Sequence, residues 1–391
     1  MIYLGKGTMK KTLFLIAAFL AFFTIQISAQ TWSAPVRLTW TANDSSYPAI
    51  AADPGGGIHV VWYDKTFGNI ELFYKRSTNF GTTWQAPVRL TWNDGYSNFQ
   101  KITTDSGNGV YIVWADSTSF GYAIYLKKST NNGATWSAPN RLTWMDYNSV
   151  HPAVATSSGS KIHIVWSQAR STGYSEIYYK RSIDGGATWL APTRLTWNSK
   201  DSFYPSIAAE ASNYVYIVWQ DETPGNFEVF YKRSTNGGTS WSPPTRMTWN
   251  SGDSEFPIVA VDSIGRVHVV WMELTPGNGE IYYKRSGNHG FTWSAPTRLT
   301  WSSANSYSPS VAVDSGSGVH VVFRDDSPSN PEIYYKSSPN GGLTWSGLTR
   351  LTWNSGGSLF PEVAVDSSDG IHVAWEDMSP GNREIFYKNY K

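Results

Sequence analysis

Along most of the chain, short runs of β-branched and aromatic residues alternate with clusters of Gly, Asn, Asp, Ser and Pro, the pattern of consecutive antiparallel strands joined by tight turns. In one stretch the runs fall at residues 257–262, 267–271, 280–286 and 292–301, with no helical periodicity between them. The unit recurs: the tetrad Arg-(Leu/Met)-Thr-Trp ends at Trp40, Trp92, Trp144, Trp197, Trp249, Trp301 and Trp353, at a spacing of 52 residues with one step of 53. Seven four-stranded units predict an all-β fold, a seven-bladed β-propeller in which each sheet covers the face of the next.

A polar turn ending in Thr-Trp or Ser-Trp separates the third and fourth runs, but it occurs six times, not seven. The repeating part opens with a fourth run and closes with a third, so one blade is divided between the two ends. Residues 31–40 are expected to lie against 384–390, closing the ring and covering two strand edges.

The twenty tryptophans fall at three repeated positions. Seven end the tetrad, seven begin its strand (Trp32, Trp84, Trp136, Trp189, Trp241, Trp293, Trp345), and six end the second strand, where the remaining copy has Phe323. Their expected role is to join blade to blade, since a large aromatic buries ~150–250 Å².

Composition changes the picture mainly by exclusion. Lys and Arg number 31 against 30 Asp and Glu, which leaves no basic stripe for nucleic acid. Two lysines after Met9, an apolar run over 13–23 and the small residues before Gln30 predict an export signal over 1–29, with Met9 a candidate start. That run is too short to span a bilayer, so a secreted or periplasmic monomer is expected, a single domain over 30–391. With no cysteine, packing alone must hold it.

The six turns, such as Ser182 to Trp189, resemble the Asp box, Ser-x-Asp-x-Gly-x-Thr-Trp, of the sialidase superfamily, also called bacterial neuraminidase repeats. The Asx position is Asp184 once and Asn79, Asn131, Asn236, Asn288 and Asn340 elsewhere. The resemblance implies a propeller whose Asp boxes are structural and lie on the face away from the site. It also implies an arginine triad on inner strands. Of fifteen arginines, eleven sit at two repeated positions and the inner strands carry none, so sialidase chemistry is not carried over.

Candidate ligand residues lie on the face opposite the Asp boxes. Arg170, Arg324 and Arg383 stand outside the repeat, where they could hold an acidic ligand. A polar residue follows two positions after each second-strand Trp or Phe: Asp64, Asp116, Gln168, Asp221, Glu273, Asp325 and Asp377. Aromatics recur in the loops after the tetrad: Tyr47, Phe99, His151, Tyr204, Phe256 and Phe360, with Ser308 the exception. Rings beside carboxylates suit sugars; the alternative is that the carboxylates bond their own loops. Tyr96, Tyr122, Tyr147 and Tyr174 add to a divergent sector in blades two and three. His59, His163, His268, His320 and His372 share one strand position in five blades and are expected to be satisfied between blades rather than to hold metal. No catalytic residue or cofactor is assigned. The expected role is non-catalytic binding of glycan or extracellular protein; a sialidase-like hydrolase or lyase and a structural module are the alternatives.

Overall fold

The second strand of every unit is an almost unbroken apolar run, as a strand covered on both faces requires. Ile58–Asp64 and Val215–Asp221 are buried along their whole length. The computed structural model describes Met1 and residues 31–391, except 120, 145, 146, 172 and 276. The expected export signal lies outside the described residues.

Trp32–Lys391 form one unit of seven four-stranded antiparallel sheets; six run in sequence order from axis to rim, and the seventh takes its outermost strand, Val36–Arg37, from the start of the chain. In the first blade the strands are Ser45–Ala52, Ile58–Asp64, Glu71–Ser77 and Val88–Arg89. The ring closes as expected. Val36 pairs with Tyr387 and Arg37 with Phe386, while Leu38 N donates to Ile385 O at 2.7 Å. Each interblade space is filled by a cluster such as Val61, Leu72, Ile102, Ile112 and Trp114.

The fourth strands are shorter than the sequence predicts. In the fifth blade only Thr297–Arg298 pair as strand, in place of 292–301, because Pro296 has no N–H to donate. The turn between the first two strands meets the Asp-box turn of its own blade, Phe80 N donating to Gly56 O at 2.8 Å. The tetrad tryptophans therefore emerge on the opposite face.

The three tryptophan sets have different fates. Second-strand residues such as Trp114 are fully buried, and the Asp-box tryptophans pack edge-on against the preceding blade's tyrosine, as Trp136 does on Tyr74 at 4.9 Å. The tetrad tryptophans do not join blades as expected: all seven are 65–67% exposed, because their two-residue strand is the last in the sheet and nothing covers it. Blades are instead latched by a lysine the sequence analysis passed over. Lys127 Nζ donates to Leu90 O of the preceding blade, and Lys75, Lys180, Lys232, Lys284, Lys336 and Lys388 repeat the contact.

The strand histidines find their partners within blades, not between them, although His268 bonds only Tyr283 and its Nε2 stands 3.9 Å from Asp262. His59 Nδ1 meets Tyr74 Oη at 2.6 Å and its Nε2 meets Asp53 at 2.9 Å, all in one sheet. Antiparallel pairing sets the histidine beside the third strand of its own blade, which is why the neighbour is not reached.

Candidate functional site

Each inner strand carries a bulge, a register shift such as that between Ser46 and Ala49. The bulged residues are Tyr47, Phe99, His151, Tyr204, Phe256, Ser308 and Phe360, all with φ between 47° and 55°. The sequence placed them in loops; they lie inside the strands at the axis. Left-handed backbone is rare for bulky residues, and six of the seven precede proline, which itself favours an extended conformation. Such strain, of order 1–3 kcal/mol per residue, persists only where the surroundings enforce it. Neighbouring blades supply that support: Tyr47 N donates to Glu376 Oε2 at 3.2 Å and Phe256 N to Gln220 Oε1 at 3.0 Å.

The bulges turn their side chains into a collar. Tyr47 stacks on Phe360 at 4.0 Å; Phe99, His151, Tyr204 and Phe256 follow one another at 4.5, 4.1 and 4.8 Å. Ser308 leaves a gap. The collar encloses a cavity of about 370 Å³ that also reaches Lys101 and Glu362, which pair with each other, Ser310 Oγ donating to Glu362 Oε2 at 2.9 Å. Burial lowers the His151 pKa to about 4, so the ring is neutral near pH 7.

Behind Tyr47 lies a charged pair. Glu376 is buried, and burial holds its carboxyl above the usual range against the opposing effect of Arg383, 3.4 Å away. Burial also raises Tyr47, and Tyr63, stacked on Tyr47 at 5.5 Å, is pushed up to about 12. Of the predicted residues, the structure thus brings Tyr47 and Arg383 together and adds Glu376, which the sequence analysis missed. The available signal was the position just after the second-strand Trp or Phe, which reads Tyr63, Ala115, Ser167, Gln220, Met272, Arg324 and Glu376.

The other predicted ligand residues are dispersed. Arg324 is held by Asp326 through two hydrogen bonds, at 2.6 and 2.9 Å, and covers Tyr307. Arg170 lies in blade three beside Tyr178 and Tyr147. Tyr204 belongs to the collar, as described. The carboxylate ring is buried and serves its own blades. Asp64 takes the Ser45 hydroxyl and the Thr66 amide, both at 2.8 Å; Asp116 takes Trp114 Nε1 at 2.9 Å. Asp221, Glu273, Asp325 and Asp377 accept the equivalent inner-strand serine at 2.8–3.0 Å. Burial beneath the loops, with these oxygens already bonded, is the scaffold alternative of the sequence analysis.

The Asp-box side chains are structural. Asn79 Oδ1 accepts Thr83 N and the Ser77 hydroxyl at 2.9 Å, and Asn131, Asn236, Asn288 and Asn340 repeat this amide contact. Hydrogen bonds, chiefly from Thr188, hold the Asp184 carboxyl down to about 2.

The BNR repeat-like domain model matches residues 20–269, more than half of the chain. The chain belongs to the BNR repeat-like family. Solved structures similar to this BNR repeat-like chain include a polysaccharide lyase of family PL25, an ulvan lyase bound to a glucuronate–sulfated rhamnose unit. The match has TM-score 0.64 and 12% identity, over 90% of this chain and 95% of that one. The NanB sialidase of Streptococcus pneumoniae matches at TM-score 0.51 and 12% identity, over 94% and 70%. The α-L-arabinanase of Penicillium chrysogenum, complexed with arabinobiose, matches at 0.55 and 15%, over 75% and 94%. No curated protein matches the chain. At these identities the likeness is one of fold.

Proposed function

We propose that the chain is an exported carbohydrate-binding propeller that takes a glycan at the axial collar, on the face opposite the Asp boxes. The observation that carries this reading is the set of left-handed bulges that turn six aromatic rings toward one open cavity of about 370 Å³. An apolar wall with a few polar groups is the usual make-up of a small-ligand site. Here the rings offer flat faces to the C–H side of a sugar, while Lys101, Glu362 and the Tyr47 and Tyr204 hydroxyls are available to its oxygens. The carbohydrate-active names among similar structures support the reading by analogy of fold alone.

A glycan array followed by calorimetry tests it. Tyr204→Ala is expected to weaken binding of the retained oligosaccharide about tenfold, equivalent to ~1.4 kcal/mol. Unchanged affinity in that variant, or an array without retained glycans, would overturn the axial site.

A second reading, turnover, is favoured by one observation: a buried carboxyl with a raised pKa, Glu376, lies beside Arg383 and behind Tyr47, which lines the cavity. A carboxyl whose pKa is raised by burial gives up its proton later than an ordinary one, the direction that a proton donor in glycoside hydrolysis needs. Fluorogenic glycosides, with uronate-containing polysaccharides monitored for unsaturated products, decide between the two. If the wild type turns over and Glu376→Gln loses at least 100-fold while binding is kept, the chain is an enzyme; binding without turnover leaves the first reading.

A further inference from the structure

The tetrad tryptophans are covered only in part, by cations of their own and of the next blade. Within this one chain the fully buried second-strand position accepts Phe323 in place of Trp, whereas the position that is 65–67% exposed is Trp in all seven copies. An indole that stands mostly in solvent in every copy adds little to the core and leaves most of its surface open to a ligand. Two cations hold the ring from within the protein: Arg89 lies 5.8 Å and Lys127 5.0 Å from the Trp92 centroid, and six of the seven copies show both contacts. The indole is thereby fixed in place while most of its surface meets water.

Trp92, Trp197 and Trp249 each border a groove between two blades. These three grooves, of about 400, 450 and 300 Å³, are built alike from the tetrad of one blade and the next blade's second and third strands. In the first, Trp92 and Tyr125 form the walls, and Lys127, Asp116 and Ser117 supply the polar lining. Lys127 is more than nine-tenths buried and gives one proton to Leu90 O, so the ammonium has two more to donate. Asp116, Asp221 and Glu273, candidate ligand residues from the sequence, line these three grooves.

We propose that such grooves, one beside each tetrad tryptophan, are seven equivalent subsites for pyranose rings of a polysaccharide, separate from the axial cavity. A flat indole stacks on the C–H face of a sugar, and a buried ammonium with spare protons beside a hydroxyl group suits the ring oxygens of that sugar. The rings are distributed one per blade, with a polar lining beside each, whereas a protein partner would require one contiguous apolar patch. Weak subsites on a rigid ring gain strength by engaging one polymer at several points, so a single groove need not bind tightly.

The test is mobility in native gels containing laminarin, xylan, arabinan or polygalacturonate, followed by calorimetry with a short oligosaccharide of the retarding polymer. Expected are retardation by at least one polymer and a stoichiometry near seven per chain. The triple variant Trp92→Ala, Trp197→Ala, Trp249→Ala, checked for an unchanged melting temperature, should lose retardation at least tenfold. No retardation by any polymer, a stoichiometry near one, or a folded triple variant that runs like wild type overturns the proposal. If Tyr204→Ala alone abolishes retardation, the axial cavity is the polysaccharide site and the grooves are not. Should the triple variant fail to fold, the wild-type stoichiometry decides.

Discussion

His163 shows what a single side chain does in this fold. Its Nδ1 meets Tyr179 Oη at 2.7 Å and its Nε2 meets the Ser157 hydroxyl at 3.0 Å, while burial, then the charges of Arg181 and Lys161, lower its pKa from 6.5 to about 3. Between those two values the unfolded chain binds more protons than the folded one. The stabilisation is therefore complete above about pH 6.5 and is lost as the pH falls toward 3, by at most ~1.4 kcal/mol per pH unit for one site. Burial raises the carboxyls of Glu176 and Glu376, which favours the folded state as pH falls, so the histidine is isolated by difference. The drop in urea midpoint from pH 7 to pH 5 should be smaller in His163→Gln than in wild type; equal drops would remove the histidine from the acid response. Much at this scale could not be read from the chain. Buried and exposed tryptophans both follow strand-like residues, and only the position of their strand in the sheet separates them. The left-handed backbone of Tyr47 or Tyr204 was hidden because a residue before proline is normally extended.

In the Asp-box hairpin, the repeat was legible because its Ser, Asx and Gly each answer a local backbone need within eight residues. The contact made across the blade boundary was not. A Cβ on Gly133, at φ +75°, would stand 1.9 Å from Tyr74 Oη of the preceding blade, whereas Gly186, at φ +77°, follows the blade carrying Leu126 and would approach nothing nearer than Ile162 Cδ1 at 3.2 Å. Gly186→Ala then carries the left-handed penalty alone, about 1–2 kcal/mol. Gly133→Ala must also displace the tyrosine and should cost at least about 2 kcal/mol more, within the range of severe core disruptions. Denaturant unfolding of the two variants side by side checks this, and equal losses would mean that the tyrosine yields without cost. The collar shows the same limit of local reading, since its rings come from strands that are about 52 residues apart in sequence and meet only once the ring forms.

For the molecule as a whole, blade number and closure were legible because the repeat is strict and its phase differs between the two ends. Closure rests on few groups. Arg37 pairs with Glu384 at 2.8 Å, Leu38 is buried in the cluster with Ile385 and Tyr387, and Trp32 bridges to Tyr390. Leu38→Asp would place an unpaired charge in that cluster, and the expected outcome is a fall of several degrees in melting temperature with increased cleavage by protease near both ends. A melting curve that matches wild type would mean that the seventh sheet holds without this strand.

The joint between Val36 and Tyr387 also imposes an order of events. A strand near the start of the chain has no partner until the final third strand has been made, so the circle cannot lock while synthesis is under way. Until then the incomplete seventh blade presents an open edge, and the polypeptide passes through its most adhesive state when it is nearly finished.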